Sequence, residues 1–189
     1  MPIGLLKVAY SNGFFPMPNP QTGEIEWLRP EPRAILPLDG FHVSHSLQKL
    51  LNKATLRHST DKAFEEVMHG CADRKEGTWI TDIFLKSYLN LFKEGLAHSV
   101  EVWHGRQLVG GVYGVTLGAA FFAESMFHRE TNASKVALHH LVKHLRTHHF
   151  ELLEVQFLTP HLERLGAIEI PDERYQDLLA SALGKMVEW

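Results

Sequence analysis

The chain has 189 residues, 44% of them apolar and 22% charged, with a formal net charge of −3. That length can bury a real core, and the balance is that of a folded globular protein, which excludes a disordered acidic tail and a bulk-basic nucleic-acid binder, so any nucleic-acid contact must come from a local patch. A single cysteine, Cys71, excludes an internal disulfide framework and suits a reducing cytoplasm, while no apolar run is long enough to span a bilayer and MPIGLLKVAY lacks a basic, cleavable leader pattern.

Residues 1–40 are expected to form an N-terminal arm packed on a main domain over 41–189. Leu5, Leu6 and Ala9 predict one short helix stopped by Asn12-Gly13. Pro16, Pro18, Pro20, Pro30, Pro32 and Pro37 then forbid long regular structure, yet Phe14, Phe15, Met17, Trp27 and Ile35 are too apolar for a free linker. Ser44 can cap a helix to about Asn52, with Leu47, Leu50 and Leu51 inward and Lys49 and Lys53 outward. ATLRHSTD reads as a strand ending at a cap, Thr60 or Asp61. The helix after it places Phe64, Val67, Met68 and Cys71 on one stripe, which makes Cys71 a core residue and not a nucleophile. A polar loop, ADRKEGTWITD, carries Trp79 just before a helix from Asp82 to Glu94, capped by Thr81, with Leu85, Tyr88, Leu89 and Phe92 inward. Trp79 there is either a core staple or a flat surface for a base to stack on.

Three strand-like runs follow at 98–103, 106–116 and 119–126. A helix with Leu138, Leu141, Val142 and Leu145 at i, i+3, i+4, i+7 comes next, with Asn132 or Ser134 as its cap. Within AAFFAESMF, Glu124 is costly unless it is paired, lines a cavity or reaches solvent at the strand end. His140, His144 and His148 share one helical face, but no Cys or HExxH pattern completes a metal site. Lys143 and Arg146 would oppose a cation, so a solvated face is expected and no metal. HFELLEVQFL reads as a strand on which Glu154 and Gln156 point the same way. A short helix, a turn at Gly166, the strand AIEI and a last helix capped by Asp172 close the chain. The tally is α+β, a mostly antiparallel sheet with helices packed on it.

Read together, GFFP, EPRAILPLDGFHVSHSL, GCADRKEGTWIT, HSVEVW, LVGGVYGV, AESMFHRETNASK, VQFL and LGAIEIP resemble the leucyl/phenylalanyl-tRNA–protein transferases over nearly the whole chain. The resemblance implies a GNAT-like (acyl-CoA N-acyltransferase) core and a bacterial aminoacyltransferase that uses no cofactor. Its donor is an aminoacyl-tRNA carrying Leu or Phe, and its acceptor a protein N-terminus beginning with Arg or Lys. By the same resemblance Trp79 stacks on the terminal base and Glu124 faces the acceptor and aminoacyl-adenosine pocket. Val112, Phe121, Leu141 and Leu145 hold the donor side chain, and Glu154 and Gln156 assist catalysis. Four positions depart from the pattern: Met17 stands where the family has a second stacking tryptophan, Glu154 where it has Asp, and Val112 and Leu141 are smaller than their family counterparts.

Aminolysis of an aminoacyl ester needs no ATP, only a neutral amine held near the carbonyl. Glu154 can polarise Gln156, whose amide accepts a hydrogen bond from the attacking amine. Lys49, Lys53, Arg57, His58 and Lys62 form the preferred strip for tRNA phosphates, with Lys135, Lys143 and Arg146 as a second. The alternatives are an acetyl-CoA-dependent N-acetyltransferase, disfavoured because HRETNASK has no glycine for a pyrophosphate loop, and a catalytically silent aminoacyl-tRNA binding module.

Overall fold

A computed structural model describes residues 1–53, 55–74 and 77–189. In chain order the elements are α1 (Ile3–Ser11), β1 (Phe15–Pro18), β2 (Ile25–Leu28), β3 (Arg33–Ile35), α2 (His45–Lys53), β4 (Leu56–Thr60), α3 (Phe64–Ala72) and α4 (Asp82–Lys93). They continue as β5 (Ala97–His104), β6 (Gln107–Leu117), β7 (Ala120–His128), α5 (Ala133–Thr147), β8 (Leu152–Glu154), α6 (Pro160–Glu163), β9 (Ile168–Ile170) and α7 (Asp172–Leu183). Seven strands make one sheet in the order β4-β5-β6-β7-β8-β3-β9, and β1 and β2 form a separate hairpin. Every pair in the sheet is antiparallel except β7 with β8. The class is therefore the α+β one expected, a mostly antiparallel sheet flanked by helices.

Alternation along β6 and β7 divides the core in two. Tyr113, Val115 and Phe122 face α1, α3, α4 and α7, where Tyr10, Phe64, Met68, Cys71, Tyr88 and Tyr175 are buried. Val112 and Phe121 face the other way, onto Leu47 of α2 and Val136, Leu138, Leu141 and Leu145 of α5. Gly114 sits where β6 and β7 press together: a Cβ there would meet the Phe122 carbonyl oxygen at 2.3 Å. The arm does not stand apart from this architecture. Its α1 contributes Leu6 and Tyr10 to the first core, and β3 is an interior strand of the sheet.

Local details depart from expectation where polar side chains have other uses. Ser44 does cap α2, accepting from Leu47 N–H at 3.3 Å. Thr81 and Asn132 make no side-chain cap bond, and Asn132 is left-handed (φ 69°), not the extended conformation that aims a cap side chain at the helix. Asp61 caps nothing; it accepts from Ser99 N–H and pairs with His98 Nδ1, each at 2.8 Å. Asp172 lies inside α7, which Pro171 precedes. The strand expected over 149–158 shrinks to three residues, because Gln156 turns left-handed (φ 63°) and leaves the sheet.

What fixes that departure is Arg33, fully buried on β3. Its Nη2 donates to Glu154 Oε1 at 2.7 Å and its Nη1 to the Gly13 carbonyl at 2.8 Å, while the guanidinium carbon lies 3.8 Å from the Tyr175 ring centre. Tyr175 donates its hydroxyl to Glu154 Oε2 at 2.5 Å. One buried pair thus ties the turn after α1, two strands and α7 together. Burial pushes the Glu154 carboxyl up from its ordinary range, and Arg33 and Tyr175 oppose that rise. Removing one partner of such a pair leaves an uncompensated buried charge. Glu154→Ala is expected to cost about 3–5 kcal/mol in denaturant unfolding, and the double replacement Arg33→Leu/Glu154→Leu less than the two single losses added. A loss below about 1 kcal/mol, the scale of an exposed pair, would show that the pair does not anchor the fold.

Candidate active site

β7 and β8 run parallel only over Ala120–Phe122 and Leu152–Glu154. Beyond that, β7 continues to His128 while the other chain turns away at Gln156, and a cavity of about 350 Å³ opens between them. Trp79, Val112, Glu124 and Gln156 all line it, together with Leu138, Val155 and Leu162 on its apolar side. Trp79 is half-buried, edge-on to Phe84 with ring centres 5.2 Å apart, so its ring is held without being enclosed.

Glu124 is neither a solvent-facing strand end nor a simple ion-pair partner. Tyr10 donates to its Oε1 at 2.6 Å and Tyr88 to its Oε2 at 2.7 Å, and the two hydroxyl oxygens are themselves 2.6 Å apart. Three short O···O contacts close a triangle, but two tyrosines bring only two protons. With Glu124 ionised, both hydroxyls are spent on the carboxylate and the tyrosine–tyrosine contact has no proton. With Glu124 protonated, three donors circulate round the ring and every contact is a hydrogen bond. Burial pushes this carboxyl up to about 7, against the lowering effect of the tyrosine hydroxyls; the charge of Glu154 adds to the rise. The acid is therefore balanced between its two forms near neutrality. Neither tyrosine was singled out from the sequence as a site residue. A hydroxyl recurring on an otherwise apolar stripe, as Tyr88 does, is the signal that was available.

Gln156 is buried, and its Nε2 has no hydrogen-bond partner among the described residues. The amide lies near enough to Glu124 to favour the charged form, though outside hydrogen-bonding geometry. The expected contact between Glu154 and Gln156 is not made. Glu154 is committed to Arg33 and Tyr175, and the left-handed turn breaks the alternation that would align the two side chains. Glu154 consequently does not line the cavity.

The remaining candidates scatter. Phe121, Leu141 and Leu145 are wholly buried in the second core and outside the cavity lining. Met17, on β1, packs on the first core and is likewise not part of the lining. Lys49, Lys53, Arg57 and Lys62 are exposed on α2 and around β4, at the far edge of the sheet from β8, β3 and β9. Cys71 is fully buried, its thiol pushed up to about 12 by that burial, as a core residue should be. The histidine face of α5 is not simply solvated: His140 stacks on His58 at 3.5 Å and His144 on His148 at 4.2 Å. Half-burial pulls His140 down to about 3 and His144 to about 4, so neither carries charge at neutral pH.

The Glu124 triangle has a consequence for stability. Below about pH 4.5, the ordinary value, the group is protonated in both the folded and the unfolded chain. Between there and about 7 the unfolded chain ionises first, so this group's contribution falls as pH rises and is constant above. Glu124→Gln copies the neutral acid, keeping one donor and one acceptor. It is expected to be more stable than the parent by about 3 kcal/mol at pH 8, with the difference vanishing below pH 4.5. Urea titrations across this range that show a pH-independent difference would refute the balanced acid.

Comparison with known proteins shows the family. The family profile for leucyl/phenylalanyl-tRNA protein transferase matches residues 35–180. A leucyl/phenylalanyl-tRNA–protein transferase of Akkermansia muciniphila is 50% identical over 182 residues, covering 95% of this chain and 94% of that protein. One of Salinibacter ruber is 47% identical over 185 residues, covering 98% and 81%. Among solved structures, L-PGS from Bacillus licheniformis aligns at TM-score 0.47 and 11% identity, over 83% of this chain and 54% of its own. A GCN5-related N-acetyltransferase-like protein from Streptococcus suis aligns at 0.40 and 16%, over 88% and 63%. Those two likenesses are loose and extend to the chain path only. Identity near one residue in two, held over nearly the full length of this chain, is decisive: the chain belongs to the leucyl/phenylalanyl-tRNA–protein transferase family, a family of aminoacyltransferases.

Proposed function

We propose that the chain moves a leucyl, phenylalanyl or methionyl residue from the 3′ end of an aminoacyl-tRNA to the α-amine of proteins beginning with Arg or Lys. That transfer would mark them for degradation by the N-end rule, in the cytoplasm, where both substrates occur. The observation that carries this reading is the cavity itself, which gathers a half-buried indole, an acid balanced near neutrality and an unpaired amide beside an apolar wall.

The ester is already activated, so the reaction needs orientation more than activation. A free α-amine has a pKa of about 7.7–8.0 and is partly neutral at physiological pH. It attacks the ester carbonyl, a C–N bond forms, and the C–O bond to the ribose breaks. The ribose hydroxyl leaves with the proton that the amine gives up, directly or through water. Held in place, such a reaction gains effective molarities up to about 10⁵–10⁸ M. Gln156 is suited to donate from Nε2 to the carbonyl oxygen as charge builds there, since that N–H has no other partner among the described residues. Glu124, when ionised, offers charge to the cationic acceptor. Trp79 offers a face for the terminal adenine, and Val112, Leu138 and Val155 an apolar surface for the donor side chain. Glu154 acts through structure, holding the strand end from which Gln156 departs.

The direct test follows label from Leu-tRNA or Phe-tRNA into a peptide that starts with Arg, with the same peptide starting with Ala as control. Label in the first peptide and little in the second is expected. No transfer from either tRNA, or acetyl transfer from acetyl-CoA in its place, would overturn the reading. Base stacking on an aromatic is worth about 1–3 kcal/mol, so Trp79→Ala should raise the KM for aminoacyl-tRNA about tenfold or more while the melting temperature hardly moves. Activity and melting temperature falling together would make Trp79 a core residue. Gln156→Ala is expected to lower kcat with KM for the donor little changed, and an unchanged kcat would remove it from the mechanism.

A further inference from the structure

Beside the transfer cavity, and sharing Arg74, Met126 and His161 with it, lies a second hollow of about 360 Å³. Its lining sets the guanidiniums of Arg74 and Arg129 and the imidazoles of His128 and His161 against one carboxylate, Asp73. Lys135 and Arg164 stand close enough to His161 that they, after burial, hold its imidazole below the ordinary range, with His128 adding to the effect. None of Arg74, Arg129, Lys135 and Arg164 has a carboxylate at ion-pair distance among the described residues.

The two guanidiniums are held by neutral groups. Arg74 donates from Nε to the Cys71 carbonyl at 3.1 Å and from Nη2 to Ser125 Oγ at 2.9 Å. Arg129 lies over Phe127, 5.4 Å from the ring centre. Such contacts fix position without cancelling charge. Cations fixed and left uncancelled around one hollow repel each other, a cost that an incoming anion removes. The hollow adjoins the cavity that contains Trp79, and Arg74 precedes Trp79 by only five residues on the same loop. A single strand whose terminal base reached Trp79 would bring its next phosphate towards this side.

Resting on the transferase reading above, we propose that this hollow seats the phosphodiester linkage next to the terminal adenosine of the donor RNA, with Arg129 and Arg74 as its principal cations. The far strip on α2 and β4 is then left to the acceptor stem, one nucleic acid meeting two separate basic regions.

The test compares two donors and one ligand. Wild type and Arg129→Gln are assayed with aminoacyl-tRNA and with the matching aminoacyl-adenosine, which carries no phosphate, and binding of the trinucleotide CCA is measured by calorimetry. The expected result is a loss in kcat/KM of about tenfold with aminoacyl-tRNA, equivalent to one lost charged contact, and at least fivefold less loss with aminoacyl-adenosine. The salt dependence of CCA binding should become shallower by about 0.7 in log–log slope, one single-strand phosphate. Arg129→Lys should recover most of the slope and only part of the affinity. Equal losses with both donors, unaltered CCA binding, or a raised KM for the peptide acceptor would each overturn the proposal. Should wild type bind CCA with the expected salt dependence yet transfer nothing, the transferase reading fails while the phosphate site stands.

Discussion

The buried pair between Arg33 and Glu154 is the constraint on which the rest of the site depends. A carboxylate and a guanidinium out of water attract strongly only when their other donors and acceptors are also satisfied. Here the Gly13 carbonyl and the Tyr175 hydroxyl take up most of them, the Tyr175 ring and Asp172, 3.8 Å away, flank the guanidinium, and its Nε is left without a hydrogen-bond partner among the described residues. Because Glu154 is the last residue of β8, the pair pins the point where the strand must stop. The chain then turns at Gln156 and cannot continue alongside β7. Two parallel strands that part leave a gap, and the gap is the cavity. An interaction made wholly for the fold therefore determines where an open space lies and which amide faces it.

The same parting explains why a carboxylate can sit inside AAFFAESMF. On the side towards α1 and α4, Glu124 meets two tyrosine hydroxyls; on the other it borders the cavity. A fully enclosed acid would stay neutral and a fully exposed one would stay ionised. This one has burial and two hydroxyl donors acting in opposite directions, so a cation entering the cavity can tip it towards the charged form at little cost. The tyrosine from α1 also makes the arm a part of the site, although no arm residue lines the cavity itself.

Much of this was legible in the sequence because periodicity and turn residues report the elements directly. The three-strand run from Ala97 to His128 and the stripe of α5 lie close to where their patterns place them. Trp79, Glu124, Val112 and Gln156 were found as an odd residue in a local context or by family resemblance, and the fold brings those four to one cavity. What was not legible depended on long-range partners. Arg33 within RAILP carries no mark of its destination; Glu154, 121 residues later, supplies it. Extending the strand pattern through Gln156 was the natural error, since nothing local signals a left-handed glutamine. Phe121, Leu141 and Leu145 have the composition of a pocket and of a core alike, and only packing separates the two.

Charge shows the same division between local pattern and folded context. The sequence holds 22 acidic residues and 19 Lys and Arg, which argues against a polyanionic partner. Among the described residues three of those acids, Glu101, Glu124 and Glu154, are buried, and only Arg33 is lost from the cations in the same way. Glu101 is spent on the hydroxyls of Ser59 and Ser99, each 2.5 Å away. The surface is thus closer to balance than the formal charge, and its distribution matters more than its sum. Acids used inside the fold and cations without an ion pair among the described residues near Trp79 are two sides of one arrangement: the interior takes up carboxylates, and the hollow beside the site keeps two guanidiniums against one acid.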